Sequence, residues 1–312
     1  MDQVVNWFVN SACNLPCAYC FRERDLEEKG TEGMLRLVKV LGKNKVKRVT
    51  IGGGEPLLRS DLERILAALK EEGIFVSLHT NGTILKQRIK GLRGLVDILS
   101  LPIDSVEEGE NQQMRGRPYV GLIEEIMGYA HPEFKLAFKT TATRVNWASL
   151  PKIYDLVRQV PFDYWKVYQF RPLNEAQVYD STFALPDKTF EGLRAELSGL
   201  ADRRIQVVNR KEGHQPYVFL DNQGNVSTVH PDLEQNIPVG NLFEADLEAI
   251  GGCIDAIYGE GSSWGFARKV RINWRSPENW CLVKERGEGT FRMRVVTATR
   301  YDDPRLAYFS DD

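Results

Sequence analysis

The sequence has no apolar run near the ~20 residues that a membrane-spanning helix needs. It also has no large excess of either charge: 41 Lys and Arg stand against 43 Asp and Glu, a net charge of −2. The first absence argues against a membrane span. The second removes any global attraction to nucleic acid, so no nucleic-acid partner is expected. The opening segment, MDQVVNWFVNSAC, lacks a basic stretch leading into a long apolar one, so the expected compartment is the cytoplasm. Cysteine is scarce, five in 312 residues. Thiols stay reduced in that compartment, so none of the five reads first as half of a disulfide. Internal repeats and low-complexity tracts are missing too. What is present is 42% hydrophobic, 27% charged and 10% aromatic. That is enough apolar material for one large domain or two modest ones, and too much for a disordered chain.

The first half alternates β-rich runs with helical patterns. Strands are expected at 3–9, 46–51, 74–79, 96–103, 134–143 and 164–170. Between them, Met34, Leu37, Val38 and Leu41 recur at i, i+3, i+4, i+7, the spacing of one helix face. Ser60-Asp-Leu-Glu63 reads as a capping box opening a second helix with Leu62, Ile65, Leu66 and Leu69 inside and Gly73 as its stop. Further helices are expected near 119–129 and around Leu150, Ile153, Tyr154 and Val157. Six alternations of strand and helix imply parallel strands with right-handed crossovers, an α/β sheet that is open or curled into a partial barrel. After about residue 172 the rhythm is lost. One more helix is expected through Phe190, Leu193 and Leu197, a hairpin around Asn222-Gln-Gly224, and a helix at 247–257. The expected division is a barrel over 1–172 and a C-terminal extension over 173–312 that covers the substrate site.

Cys13, Cys17 and Cys20 fall within eight residues directly after the first strand, the end at which α/β proteins build their sites. Three thiolates on a short loop suit a soft metal centre. A four-iron cubane usually takes four thiolates, so three leave one iron open to substrate or cofactor. Structural zinc usually shows paired C-x2-C units, and no second pair exists here. Cys253 and Cys281 stand alone and read as buried core thiols.

This cysteine spacing, the aromatic Tyr19 before the third cysteine, and Gly53-Gly54-Glu55-Pro56 after the second strand together resemble the radical S-adenosylmethionine (SAM) superfamily. The resemblance implies a partial (β/α)6 barrel, a [4Fe-4S] cluster on Cys13, Cys17 and Cys20, and SAM chelating the open iron. One electron then splits the sulfonium bond to give a 5′-deoxyadenosyl radical. A flavodoxin- or ferredoxin-type protein is the implied electron donor. The Gly53-Gly54-Glu55 turn would bind SAM, whose amino group needs backbone carbonyls at close range that side chains at Gly53 or Gly54 would block. Asn81, at the end of the third strand, and Asp104 and Ser105, at the end of the fourth, either face SAM or serve as turn and cap residues. Arg115 or Arg117 offers a cation for the SAM carboxylate, and Arg115 is preferred.

Shorter patches resemble one branch, the viperin-like nucleotide dehydratases. They are Val5-Asn6-Trp7, Ile103-Asp104-Ser105, Ala137-Phe138-Lys139, Trp165-Lys166-Val167-Tyr168-Gln169 and Tyr217-Val-Phe-Leu-Asp221, in order along the chain. This resemblance implies abstraction of the ribose 4′ hydrogen of a nucleoside triphosphate and a 3′-deoxy-3′,4′-didehydro product, with a role in antiviral defence. Asn6, Arg48, Lys139 and Lys166 would contact substrate, and Tyr217 would return a hydrogen atom or proton, with Lys139 beside it. Strand alternation alone does not say whether the two lysines face inward. Tyr164 replaces an arginine usual in the branch, Arg48 a lysine and Thr141 an asparagine, so the number of phosphates accepted stays open. Arg171 is a candidate compensating cation. Other readings are a radical SAM enzyme acting on a different nucleotide, nucleoside or sugar, a peptide-modifying maturase with auxiliary clusters, or a barrel that only binds a partner.

Overall fold

The structure, a computed structural model, describes residues 4–22, 24, 27–130, 134–210, 217–229, 236–258, 280–287 and 290–297. Six strands form the first half: β1 (Val4–Asn10), β2 (Arg48–Gly53), β3 (Phe75–His79), β4 (Ile98–Pro102), β5 (Lys135–Ala142) and β6 (Tyr164–Gln169). They pair in that order and every pair is parallel. The helices between them are α1 (Thr31–Lys43), α2 (Leu62–Glu71), α3 (Leu85–Leu92), α4 (Glu108–Arg115), α5 (Val120–Ala130) and α6 (Leu150–Val157). The α/β class and the curled sheet follow the reading of the sequence. Gln3, expected to open the first strand, lies outside the described residues.

Each strand has one apolar and one polar face. Trp7, Ile51, Leu78, Leu101, Phe138 and Trp165 are all fully buried, packed with the inner helix residues Met34, Leu37, Leu66 and Ile153. Fully burying each such side chain stabilises the fold by about 1.5–3 kcal/mol, which fixes the register of the whole ladder, since a one-residue slip would turn every apolar side chain to the other face. The opposite faces carry Asn6, Thr50, Ser77, His79, Ser100, Lys139 and Lys166. The sheet curls about that polar side. The Tyr164 hydroxyl on β6 lies within electrostatic reach of Arg48 on β2, and Lys139 on β5 meets His79 on β3.

The chain after residue 172 extends both edges of this sheet. The short α7 (Asp180–Phe183) and α8 (Asp187–Gly199) lead to β7 (Ile205–Val208), which pairs in parallel with β6. The chain then crosses to the other edge, where β8 (Val218–Leu220) pairs in parallel with β1. β9 (Asn225–Val229) and β10 (Asn236–Asn241) follow, antiparallel. The expected hairpin is β8–β9: Asp221 Oδ1 accepts the N–H groups of Gln223 at 2.7 Å and Asn225 at 2.9 Å, and Gly224 takes φ +89°. α9 (Leu247–Tyr258) packs beside β10, and β11 (Trp280–Gly287) and β12 (Thr290–Thr297) form a separate pair.

Three local expectations change. The capping box does not form, because α2 begins one residue later with Asp61 as its cap residue and no side-chain cap bond. Arg59 and Thr31 engage both Asp61 oxygens, and Arg88 takes Glu63. Helices α3 and α4, absent from the sequence reading, are short and polar, with too few apolar positions to show a period. Cys253 is buried but disulfide-bonded, not a free core thiol. It sits on α9, which packs beside β11; the side chain of Cys281 lies outside the described residues.

Candidate active site

The loop after β1 carries Cys13, Cys17 and Cys20, all free and half-buried. The turn ending β2 is stitched to it by backbone. The N–H of Gly54 donates to the Asn10 carbonyl and that of Glu55 to the Ala12 carbonyl, each at 2.8 Å. Asn10 Nδ2 returns a bond to the Glu55 carbonyl at 2.9 Å. A Cβ at Gly53, which holds φ +121°, would lie 2.3 Å from the Asn10 carbonyl oxygen, and one at Gly54 would lie 1.9 Å from that of Ala12. The chain's own backbone therefore demands both glycines, before any ligand is considered.

Glu55 is buried and its carboxylate is fully occupied. Oε1 accepts the Thr80 hydroxyl at 2.6 Å and the Leu57 N–H at 3.0 Å; Oε2 accepts the Asn81 N–H at 2.7 Å. Asn81 is thereby held over the cysteine loop, its Nδ2 3.9 Å from Cys13 Sγ and 2.9 Å from Asn14 Oδ1.

The third wall comes from β4 and α4. Asp104 accepts the Thr141 N–H at 2.8 Å on one oxygen, and the Tyr19 hydroxyl and the Arg115 guanidinium on the other. Arg115 also lies over the Tyr119 ring, 4.2 Å from its centroid. Arg115 is buried and its Nε has no partner among the described residues, whereas Arg117 is exposed. Ser105 accepts the Glu107 N–H at 2.9 Å and donates to Glu110. The Ala18 N–H donates to the Met114 carbonyl at 2.9 Å, which pins the end of α4 to the cysteine loop.

The donor set fits a cubane with one iron left open. Three soft thiols share one loop, one short of the four a closed cubane usually takes. Burial lifts the Cys17 thiol to about 11 against the opposing pull of Arg115, and burial lifts Cys20 as well. Thiolates at these positions require a cationic partner, and metal binding displaces their protons.

Below this rim, the barrel lumen gathers cations. Lys139 and Lys166 are ladder partners on β5 and β6 and both point inward. Lys139 Nζ lies 2.7 Å from His79 Nε2 and 6.0 Å from the Tyr168 ring centroid; Lys166 Nζ lies 5.0 Å from the same centroid. Burial, reinforced by Lys166, pushes Lys139 down to about 7, and burial lowers Lys166 too. Burial and Lys139 hold His79 well below the usual imidazole range. Arg171, just past β6, has its Nε and Nη2 buried without partners among the described residues, and it lies near Tyr217. Tyr217 stacks on Phe219 at 5.8 Å, and burial raises its hydroxyl pKa. No inward position of β1–β6 carries a carboxylate.

Two expected substrate contacts sit differently from the lysines. Asn6 Nδ2 donates to the Val218 carbonyl at 3.3 Å, tying β1 to β8. Arg48 lies near the far end of the lumen, over the Phe75 ring at 4.6 Å. His79, Tyr168 and Tyr119 were not singled out as site residues from the sequence. A histidine or tyrosine alternating with apolar residues on a strand is the signal that finds His79 and Tyr168 once the inward face is known; Tyr119 lies between α4 and α5, off any strand.

Residues 7–157 match the model of the Radical SAM superfamily. The chain accordingly uses SAM and a [4Fe-4S] cluster. It is 27% identical over 198 residues to a probable GTP 3′,8-cyclase of Methanococcus maripaludis, covering 60% of this chain and 65% of that protein. It is 32% identical over 231 residues to a probable GTP 3′,8-cyclase of Methanosarcina mazei, covering 68% and 65%. The match thus spans just under two thirds of either relative. Among solved structures, SuiB of Streptococcus suis bound to S-adenosylmethionine superposes with a TM-score of 0.64 at 16% identity, covering 85% of this chain and 67% of that one. That likeness is one of fold. No helix among the described residues is long and apolar enough to cross a membrane.

Proposed function

We propose that this radical SAM enzyme acts on the ribose of a nucleotide with a phosphate tail, as a viperin-like dehydratase. The observation that carries the reading is the lumen: Lys139 and Lys166 lie side by side there, Arg171 lies just past β6 beside Tyr217, and among the described residues no inward carboxylate of β1–β6 balances them and two Arg171 nitrogens lack partners. Buried donors and charges left unpaired are costly, so this lumen suits an anion. The named relatives, probable GTP 3′,8-cyclases, act on a nucleoside triphosphate and support the same substrate class.

Cys13, Cys17 and Cys20 would hold the cluster, with the Gly53–Glu55 turn, Asn81, Asp104, Ser105 and Arg115 forming the SAM pocket. When bound, the cluster and SAM supply a carbon radical that takes a hydrogen atom from the substrate. Lys139, Lys166 and Arg171 hold the phosphates and so orient the sugar toward the cysteine loop. Tyr217 lies beside Arg171 with its hydroxyl protonated, a proton source within electrostatic reach of Tyr168 in the lumen. Loss of a hydrogen atom from C4′ and of hydroxide from C3′, the latter leaving as water on taking a proton, together with one further electron from a flavodoxin- or ferredoxin-type donor, leaves the 3′,4′ alkene.

A second reading follows the relatives' names: ring closure within the nucleotide. Anaerobic incubation of reconstituted enzyme with SAM, dithionite and a panel of mono-, di- and triphosphates separates the two by mass spectrometry. Dehydration removes one water, whereas ring closure conserves mass. If 5′-deoxyadenosine stays at background with every nucleotide, both readings fail. The maturase reading is less favoured, because only two cysteines, Cys253 and Cys281, follow the barrel, too few for a full second cluster.

A further inference from the structure

His79 is a histidine whose position no part of the SAM or cysteine-loop machinery uses. It ends β3 with its ring turned into the lumen, two strands away from the lysine it touches. Lys139 Nζ lies 2.7 Å from Nε2 and 3.3 Å from Nδ1. Among the described residues, the other titratable or charged groups facing Lys139 are Lys166 and Tyr168, both from β6; β4 contributes Pro102 at the matching position. No carboxylate among the described residues reaches the amine. A lysine in such a place has two unattractive states. As an ammonium it is half-buried beside a second cation; as an amine it has a lone pair to satisfy.

Imidazole suits both. Its unprotonated nitrogen accepts from an ammonium, and its N–H donates to a neutral amine, the ring changing tautomer between the two. Burial and the neighbouring lysine hold the ring neutral, so it retains both options.

We propose that His79 is a positioning residue that keeps Lys139 aimed into the lumen in either protonation state, and that an entering phosphate tail draws one proton onto this pair. The inference rests on the anionic ligand proposed above but does not need the chemistry proposed for it. Lys139, already pushed down to about 7, is the group that takes the proton.

The test uses holoenzyme with SAM and inorganic triphosphate as the probe. Calorimetric titration in buffers of different ionisation heat counts the protons taken up on binding. Wild type is compared with Lys139→Met, which shares the ligand's own protonation, so the difference belongs to the pair. At pH 8 the wild type should take up most of one proton more than Lys139→Met. Its affinity should fall up to about tenfold from pH 7.5 to 8.5, as for any ligand that needs one proton bound. His79→Gln, whose amide also accepts and donates, should keep this profile. His79→Leu should bind about fivefold more weakly, the loss of one hydrogen bond, and begin its decline at lower pH.

Equal proton uptake in wild type and Lys139→Met overturns the proposal. So does a His79→Leu profile that matches wild type, a His79→Gln profile that matches His79→Leu, or failure of the wild type to bind triphosphate. Nucleotide turnover with equal proton uptake removes this inference and leaves the function standing; proton uptake without turnover of any nucleotide does the reverse.

Discussion

Asp104 and Arg115 form an ion pair closed to water: each side chain is 2% exposed. Asp104 joins β4 to the cysteine loop through Tyr19 and to β5 through the Thr141 N–H. Arg115 brings the end of α4 to the same point. Removing one partner strands the other charge inside the protein, which typically costs about 3–5 kcal/mol. Asp104→Asn should therefore lower stability to urea by about that amount. Adding Arg115→Met should recover part of the loss, since two neutral residues leave no buried charge. A double variant less stable than Asp104→Asn alone would contradict this account.

The turn glycines give a sharper contrast. Gly54→Ala places a methyl 1.9 Å from the Ala12 carbonyl oxygen, whereas at Gly73, with φ +70°, nothing lies within 4 Å of the added carbon. Gly73→Ala should cost about 1 kcal/mol, the strain of a left-handed backbone alone. Gly54→Ala should cost more than about 2 kcal/mol and also reduce iron loading, because the cysteine loop has to move. Thermal melts and iron assays on the two variants check both.

Iron counting tests the cluster loop directly. Reconstituted wild type should hold about four irons per chain, and Cys17→Ala close to none. About eight per chain in wild type would point to a second cluster.

The pH dependence of stability has a definite sign at Lys139. Its folded pKa, about 7, lies below its ordinary value of 10.5. The burden of burying its charge is therefore fully present below pH 7 and fades as pH rises through the interval between the two. Lys139→Met should raise the melting temperature most at pH 6 to 7, with the gain shrinking toward pH 10. A gain that is flat or grows with pH would place the lysine in solvent.

Much of the barrel was legible because its signals are local. β1 to β6 are runs of branched and aromatic residues, and α1 and α2 bury the residues their spacing picks out. The cysteine spacing and the Gly-Gly-Glu turn are likewise contiguous. Long-range facts were not legible. Nothing near Lys139 says that its side chain faces His79, because that depends on how far the sheet curls. The pairing of β8 with β1 joins residues more than two hundred positions apart, so the C-terminal segment read as an extension laid over the sheet, whereas it continues both edges. The missed capping box is a competition: Asp61 had a better partner in Arg59.

That pairing also orders events during synthesis. Val5 meets Val218, so the β1 edge nearest the sulfur ligands has no strand beside it until the ribosome has added more than two hundred further residues. At about 5–20 residues per second this takes roughly 10–40 seconds. For that interval the nascent protein carries an open hydrogen-bonding border, a hazard for mispairing with other chains, and only its late segments close it.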